Sequence, residues 1–251
     1  MTDQIQELAQ LVTESERTVV FTGAGVSTES GIPDFRSPGG IWSRYDPEDF
    51  TIQRFVSSPA ARRAFWQMSS EGGLLADAEP NSAHYAIAEL HRSGKLDCVI
   101  TQNIDNLHQK AGVPDDRVFE LHGNMQRVVC LGCRSRFPMP EMVQKFQVGL
   151  DIPDCPGCRG ILKPDAVLFG EALPVVTLRE ATRRAQRCDL CIVIGSALVV
   201  YPAAYVPAYA REAGARLAIV NLTPTPLDHE AVVCIQGKAG EVMPRVLERV
   251  K

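Results

Sequence analysis

Residues 19–36 read Val-Val-Phe-Thr-Gly-Ala-Gly-Val-Ser-Thr-Glu-Ser-Gly-Ile-Pro-Asp-Phe-Arg. Their first part belongs to a run of β-branched and aromatic residues from Thr18 to Thr22, which is typical of a buried strand. Gly23-Ala24-Gly25 ends that strand at a tight turn, where a missing Cβ lets the backbone approach a ligand closely. Ser27 and Thr28 follow as candidate caps of a helix. A strand, a glycine turn and a helix start form the geometry in which dinucleotide folds bind phosphates.

The glycine spacing alone leaves a turn without a ligand as an alternative. After Gly23-x-Gly25 the next glycine is Gly31, which departs from the Gly-x-Gly-x-x-Gly of common dehydrogenases. However, Gly31-Ile-Pro-Asp-Phe-Arg36 brings a carboxylate, an aromatic ring and a guanidinium together. Loops that carry such a trio usually carry function. The stretch therefore favours a cofactor site.

The composition is that of an ordinary globular protein. The 251 residues are 45% hydrophobic and 22% charged, and this length suits either one large domain or one domain with a small insertion. The net charge of -4 gives no general attraction to nucleic acid, so specific nucleic-acid binding is not expected. No apolar run reaches the length of a membrane span, and the N-terminus does not resemble a signal peptide. We expect a cytoplasmic protein with no membrane partner.

Strand-like and helix-like segments alternate along most of the chain. Strands are predicted at 96–101, 118–121, 162–169, 190–194 and 217–220, each ending in a polar or glycine turn. This alternation favours an α/β fold, namely a Rossmann-like, mainly parallel sheet with helices on both faces. Residues 37–80 lack a strand pattern. They predict either a lid that orders on ligand binding or a helical cap that covers the core.

Polar residues follow the predicted strands, at the positions where open α/β sheets bind ligands. Gln102-Asn103-Ile104-Asp105 can bind a ribose and a carboxamide, although Asn103 and Asp105 can equally cap the next helix. Gly195-Ser196-Ala197 and Asn221 follow two later strands. His122 also follows a strand, and an imidazole that titrates near neutral pH suits a general base. A lone histidine is nevertheless more often structural.

Cysteine spacing predicts a metal site. Cys130-Leu-Gly-Cys133 and Cys155-Pro-Gly-Cys158 are two knuckles that can give four thiolates to one tetrahedral zinc ion. Four protein ligands leave no open position, so the ion would be structural rather than catalytic. The alternative is two unrelated surface pairs. Cys188-Asp-Leu-Cys191 has the same spacing but runs into an apolar strand, so we expect it in the core.

These motifs resemble the sirtuin family of NAD-dependent protein deacylases, most closely its bacterial and archaeal members. The matching segments cover nearly the whole chain: Gly23–Arg36, Thr101–Gly112, Leu121–Gly123, the four knuckle cysteines, Phe169–Glu171, Gly195–Pro202 and Val220–Asn221.

The resemblance implies a role for particular residues. It implies His122 as the general base and Asn103 as a second catalytic residue. It implies an NAD site at Gly23, Ala24, Gly25, Thr28, Asp34, Phe35, Arg36, Gln102, Asn103, Ile104, Asp105, Gly195, Ser196, Ala197, Asn221, Leu222 and Ala239. The substrate peptide would add as a strand between Val167, Leu168, Phe169 and Gly170 on one side and Leu198, Val199 and Val200 on the other. One structural zinc ion would bind Cys130, Cys133, Cys155 and Cys158.

The implied reaction removes acetyl or other uncharged acyl groups from lysine side chains of proteins. The acyl oxygen attacks the ribose carbon as nicotinamide leaves, and His122 then helps a ribose hydroxyl attack the imidate. The products are free lysine, nicotinamide and O-acyl-ADP-ribose. Ala197 stands where the family usually has serine, which predicts weaker NAD binding. Trp66 and Ser69 or Ser70 stand where succinyl-specific members carry tyrosine and arginine, which predicts a preference for uncharged acyl groups.

The predicted domains are a Rossmann-like NAD-binding domain at 1–36, 81–125 and 162–251, a cofactor-binding loop and helical insertion at 37–80, and an inserted small zinc-binding domain at 126–161. We expect a monomer that acts on acylated lysine proteins or peptides. Three alternatives stay open: an ADP-ribosyltransferase, a non-catalytic module that binds NAD or acyl-lysine, and a zinc-ribbon binder of nucleic acid.

Overall fold

The structure is a computed structural model that describes residues 2–34, 40, 43, 46–71, 75, 78–149 and 151–250. The α-helices within these residues are α1 Thr2–Glu14, α2 Ile52–Ser57, α3 Pro59–Ser70, α4 Ser82–Arg92, α5 Leu107–Lys110, α6 Met139–Gly149, α7 Val175–Ala185, α8 Tyr205–Glu212 and α9 Ala239–Leu247. The strands are β1 Thr18–Thr22, β2 Leu96–Thr101, β3 Val118–Glu120, β4 Gly123–Cys130, β5 Arg136–Pro138, β6 Leu162–Ala166, β7 Leu190–Ile194, β8 Arg216–Asn221 and β9 Val233–Gln236.

Six strands form a parallel sheet in the order β3-β2-β1-β7-β8-β9. When only the strands of this sheet are numbered along the chain, their spatial order is 3-2-1-4-5-6. This is the strand order of the dinucleotide-binding Rossmann arrangement. The strand order reverses between β1 and β7, and such a reversal opens a crevice at the carboxyl ends of the two strands. The topology therefore places a binding site at the turns that follow Thr22 and Ile194.

Helices cover both faces of this sheet, as the sequence predicts. Alternate residues of β1 point to opposite faces because side chains alternate along a strand. Val20 packs with the buried faces of α1, α4 and α9. Val19 and Phe21 pack with residues of α7 and α8 on the other side. The chain thus builds two hydrophobic cores around one central strand.

Local sequence signals mark both ends of α4 and the start of α3. The Asn81 side chain accepts a hydrogen bond from the amide of Ala83 and begins α4, and the chain leaves this helix through Gly94 at a φ of 74°. Ser58 accepts from the amide of Ala61 and begins α3, with Pro59 in its first turn.

A second, smaller sheet is antiparallel, with strand order β5-β4-β6. Its core contains Cys130, Cys155, Phe146 of α6 and the fully buried Trp66 of α3. The insertion at 37–80 thus contributes an aromatic side chain to the core beside the cysteine knuckles. Trp66 lies inside this core and not on an open acyl-binding surface.

The structure differs from the sequence-based expectations in two places. The predicted strand at 162–169 ends at Ala166 and pairs antiparallel with β4, so it belongs to the smaller sheet. The predicted helix after Gly25 is replaced by two short 3-10 turns, Ala24–Val26 and Thr28–Ser30. The domain boundaries given above stay a prediction. Among the described helices, none has the length and apolar character needed to cross a membrane.

Candidate active site and zinc centre

Two glycine turns meet backbone to backbone at the switch point of the parallel sheet. The amide of Gly23 donates to the carbonyl of Ile194 at 3.2 Å, and the amide of Gly25 donates to the carbonyl of Gly195 at 2.8 Å. A Cβ on Gly25 would lie 2.8 Å from the Gly195 backbone, and one on Gly195 would lie 2.2 Å from the amide nitrogen of Val26. The glycines therefore allow the turns to pack against each other, as well as leaving backbone open to a ligand.

A small cleft opens beside these turns. Six residues predicted for NAD line it, namely Gly25, Thr28, Gly195, Asn221, Leu222 and Ala239. Glu29, Val220, Gly237 and Lys238 also line it and were missed by sequence reasoning. Small residues and a polar amide at the ends of β7 and β8 fit the adenosine half of a dinucleotide.

Ser27 connects the first glycine turn to the polar residues that follow β2. Its hydroxyl donates to Asp105 Oδ2 at 2.7 Å and accepts from Asn103 Nδ2 at 3.0 Å. The other oxygen of Asp105, Oδ1, accepts from the amide of Leu107 at 3.0 Å. Asp105 is only 6% exposed, so these bonds satisfy a buried carboxylate. Asp105 therefore both holds the start of α5 and anchors Ser27.

Two buried histidines lie beneath this polar cluster. His84 Nδ1 accepts from the amide of Asn81, so Nε2 carries the proton of the neutral ring and lies 3.5 Å from Ser27 Oγ. His108 Nε2 lies 2.9 Å from Thr22 Oγ1, and the two rings are 5.0 Å apart. Burial lowers the pKa of His84 to about 4, although Asp105 opposes that shift. Burial, assisted by His84, lowers the pKa of His108 well below its ordinary value.

Sequence reasoning did not assign Ser27, His84 or His108 to the site. Each sits on a segment whose pattern indicates a cap or a helix face, and only the tertiary fold places the three side chains together. The one available signal is the Ser27 hydroxyl itself, two residues after Gly25 in the motif.

His122 lies between β3 and β4, beside the carboxyl end of β2. Its Nδ1 is 2.8 Å from the carbonyl oxygen of Gln102. A carbonyl only accepts, so Nδ1 carries the proton and Nε2 presents a lone pair. Burial lowers the pKa of His122, and the bond to Gln102 opposes the shift. The ring is therefore neutral near pH 7 and held in the tautomer that accepts a proton at Nε2.

Gln102 also links His122 to the second glycine turn. The Gln102 side chain donates to Ser196 Oγ at 2.8 Å, and the same oxygen lies 3.3 Å from the amide of Leu198. Ser196 is therefore occupied by protein groups, whereas Ala197 is exposed. The carbonyl of Ile104 accepts from the amide of Met125 at 3.0 Å, which ties the segment after β2 to β4.

The loop at 167–170, here called the substrate loop, follows β6 next to His122. The amide of Val167 donates to the carbonyl of His122 at 2.8 Å. The backbone groups of Phe169 pair with Phe50 and Ile52, each at 3.0 Å. Within the described chain the carbonyl of Val167 has no hydrogen-bond partner. That carbonyl is an open acceptor, one residue beyond the backbone contact with His122.

The opposite loop, Leu198 to Val200, supplies the second predicted peptide edge. Leu198 is buried with a left-handed φ of 55°, and Val199 is exposed. The carbonyl of Val200 accepts from the amide of Ala204 at 2.9 Å. Among the remaining predicted residues, Ala24 opens the first 3-10 turn and Asp34 is half-buried. Phe35 and Arg36 lie outside the described residues.

The four knuckle cysteines form a metal-ligand cluster. Their Sγ atoms lie within 4.8 Å of one another, with 3.4 Å between Cys130 and Cys158 and 3.6 Å between Cys133 and Cys155. Zinc bonded to thiolates at about 2.3 Å in a tetrahedron needs sulfurs roughly 3.8 Å apart, so the donor set fits the ion. These side chains close all four positions, and zinc here supplies cross-linking rather than a reactive water.

Comparison with known proteins agrees with this geometry. The sequence model of the Sir2 family matches residues 23–202. The NAD-dependent protein deacylase 2 of Archaeoglobus fulgidus is 51% identical over 253 residues, covering 100% of this chain and 98% of that protein.

Two solved structures are similar throughout. A Sir2 variant with a deacetylated p53 peptide and 3′-O-acetyl-ADP-ribose has a TM-score of 0.87 at 41% identity, and 97% of each chain is covered. A Sir2 protein bound to a myristoylated histone peptide has a TM-score of 0.79 at 46% identity, covering 100% of this chain and 98% of the other. Because the match in sequence and in fold extends over essentially the whole length, this chain belongs to the Sir2 family, the sirtuins.

Proposed function

We propose that this protein is an NAD-dependent protein-lysine deacylase. It removes acetyl or other uncharged acyl groups from lysine side chains and yields nicotinamide, O-acyl-ADP-ribose and free lysine. The observation that carries the proposal is the state of His122 beside the carboxyl end of β2, a neutral imidazole whose Nε2 lone pair is left free by the bond from Nδ1 to the Gln102 carbonyl. Family relatives named as deacylases support it.

The crevice fits NAD on this chain's own residues. The cleft beside Gly25 and Gly195 would hold the adenosine half, with Asn221 as its polar side chain. Asn103 and Asp105, joined through Ser27, would orient the nicotinamide end. Bound NAD supplies the ribose that accepts the acyl group. Asp34, Phe35 and Arg36 are proposed as cofactor residues on the strength of the motif alone.

His122 is the proton acceptor of the proposed mechanism. The Gln102 carbonyl keeps the Nδ1 proton in place, so a proton taken from a ribose hydroxyl can bind only at Nε2. The bond to that carbonyl also stabilises the imidazolium that forms. Asn103 is proposed as a second catalytic residue, held by the hydrogen bond that its side-chain Nδ2 donates to Ser27 Oγ.

The peptide would add as a strand between the substrate loop and Leu198 to Val200. The open carbonyl of Val167 supports this placement, since an added strand needs unpaired backbone acceptors. At the positions where a charged acyl group would need an arginine, the chain has Ser69 and Ser70, whose hydroxyls bond back to Phe65 and Gln67. We therefore propose that acetyl-lysine is preferred over succinyl-lysine.

The decisive experiment incubates the protein with NAD and an acetyl-lysine peptide and follows all three products by mass spectrometry. We expect nicotinamide, O-acetyl-ADP-ribose and unmodified lysine in equal amounts. His122→Ala should lower turnover by about 10²–10⁴, the usual contribution of a general base, while His229→Ala, at an exposed histidine, is the matched control. ADP-ribose attached to protein, or full activity of His122→Ala, would contradict the proposal.

The proposal includes a cytoplasmic monomer. All eight cysteines are free of disulfides, which suits a reducing compartment. Cell fractionation and light scattering test the two statements.

A further inference from the structure

We infer that Lys163 is a positioning residue for the substrate peptide. Together with Glu171 it holds the unpaired carbonyl of Val167 in the orientation that accepts a hydrogen bond from the bound peptide. This inference rests on the proposed function, because it assigns a role to a residue that contacts neither NAD nor the acyl group.

Lys163 is a buried cation of the smaller, antiparallel sheet. It lies on β6 with only 5% of its side chain exposed. Nζ donates to the carbonyls of Pro164 at 2.7 Å and Ala166 at 2.6 Å, and lies 3.1 Å from Glu171 Oε2. An ammonium has three donors, and all three are used. Burying a charge is unfavourable unless it is fully paired, so this geometry is tightly determined.

The peptide group between Ala166 and Val167 is held at both ends. Lys163 Nζ binds its oxygen, and the carbonyl of His122 accepts from its N–H at 2.8 Å. The first residue of the substrate loop is thereby fixed relative to the catalytic imidazole.

The next peptide group, between Val167 and Leu168, is held at its N–H alone. The amide of Leu168 donates to Glu171 Oε2 at 2.8 Å, the same oxygen that faces Lys163. A peptide group is planar and trans, so its carbonyl points away from its N–H. Holding the Leu168 amide therefore fixes the direction of the Val167 carbonyl, which is the open acceptor.

This arrangement separates substrate binding from chemistry. Lys163 and Glu171 hold the acceptor that would pair with an N–H of the substrate, but they do not take part in the contacts that fix the His122 tautomer or line the cleft at Gly25. Loss of the Lys163–Glu171 ion pair should therefore weaken peptide binding, while the cofactor site and the His122 imidazole stay intact.

The test compares Lys163→Met, Glu171→Ala and Lys163→Arg in steady-state deacetylation, with Lys145→Met at an exposed lysine of α6 as the matched control. We expect Lys163→Met and Glu171→Ala each to raise KM for an acetyl-lysine peptide at least tenfold, with KM for NAD and kcat within twofold of wild type. Lys163→Arg should recover part of the loss, because a guanidinium keeps the charge and several donors.

The double variant separates positioning from general destabilisation. The double variant should bind the peptide no more weakly than the worse single variant, because both residues act on one carbonyl. Should Lys163→Met fail to fold, Glu171→Ala at its partly exposed site decides the question. Peptide KM within twofold of wild type in Glu171→Ala, or an equal rise in KM for NAD, overturns the inference.

Measuring the direct binding of a fluorescent acetyl-lysine peptide distinguishes a failure of this inference from a failure of the proposed function. A wild-type protein that binds the peptide but releases no nicotinamide refutes the proposed function, and the variants' peptide affinities still judge the inference. A wild type that turns over normally, with variants of unchanged peptide affinity, refutes the inference alone.

Discussion

Replacing Gly195 with alanine tests whether the site is built on the contact between the two glycine turns. Gly195 has a φ of 63°, and an added Cβ would lie 2.2 Å from the nitrogen of Val26 and 2.5 Å from the carbonyl carbon of Gly25. These neighbours are backbone atoms, which cannot rotate away as a side chain can. The two turns must therefore separate, and the cleft lined by Gly25 and Gly195 must change shape.

The expected loss in the free energy of unfolding has two parts, which a second variant can separate. A side chain in the left-handed region costs about 1–2 kcal/mol, and overpacking of a close contact costs about 1–3 kcal/mol more. Gly94→Ala is the matched control, because Gly94 has a φ of 74° and open space around its missing Cβ. We expect Gly94→Ala to show only the first cost and Gly195→Ala to show both.

Urea unfolding followed by circular dichroism and calorimetric titration with NAD measure the two consequences. Gly195→Ala should lose at least about 1 kcal/mol more than Gly94→Ala in the free energy of unfolding, and its NAD affinity should fall at least tenfold. Gly94→Ala should bind NAD like the wild type. If both variants unfold at the same urea concentration and bind NAD equally, the turns do not touch as described and the reasoning is refuted.

The remaining predictions concern titration, cofactor affinity and zinc. Because burial lowers the pKa of His122, the base stays unprotonated down to mildly acidic pH, so the acid limb of the kcat profile should have its midpoint below 6.5; a midpoint above 6.5 contradicts this. His84 and His108 are neutral in the folded protein, so they bind fewer protons there than in the unfolded chain. The free energy of unfolding should therefore fall as the pH drops below 6.5, by up to about 1.4 kcal/mol per pH unit for each ring, until His84 protonates near pH 4. A free energy of unfolding that does not change across this pH range refutes the prediction. Ala197→Ser should lower KM for NAD severalfold, since one new hydrogen bond contributes about 0.5–1.5 kcal/mol, and an unchanged KM speaks against a role for that position. Cys155→Ser should abolish the one bound zinc ion in metal analysis and lower Tm, because Cys155 lies both in the ligand set and in the core with Trp66; retention of stoichiometric zinc would be the contrary result.

Features carried by short sequence segments were predicted well. The alternation of strands and helices gave the parallel sheet with helices on both faces, because apolar periodicity is a local property. The two knuckles predicted the cysteine cluster, since the spacing within each knuckle already fixes two ligands. His122 was predicted at the end of a short strand, and it lies in the turn between β3 and β4.

Features that join distant segments were not predicted. Leu162–Ala166 lies in a segment that was predicted as a strand, but nothing local states which sheet it joins, and it pairs with β4. Trp66 was aligned with the tyrosine of succinyl-specific members, and the sequence did not indicate that this side chain is buried in the core beside the cysteine knuckles. The helix expected after Gly25 is absent because the segment packs against Gly195 as 3-10 turns.

The sequence by itself determined which chemical groups this protein carries: a glycine turn after a buried strand, an imidazole after another, and four paired thiols. The tertiary structure decided what those groups do to one another. Ser27 meets Asn103 across 76 positions of the chain, and the tautomer of His122 depends on a backbone carbonyl that no motif specifies. The physical reason is that hydrogen bonding and close packing depend on three-dimensional proximity, which long-range strand pairing creates and local residue patterns do not encode.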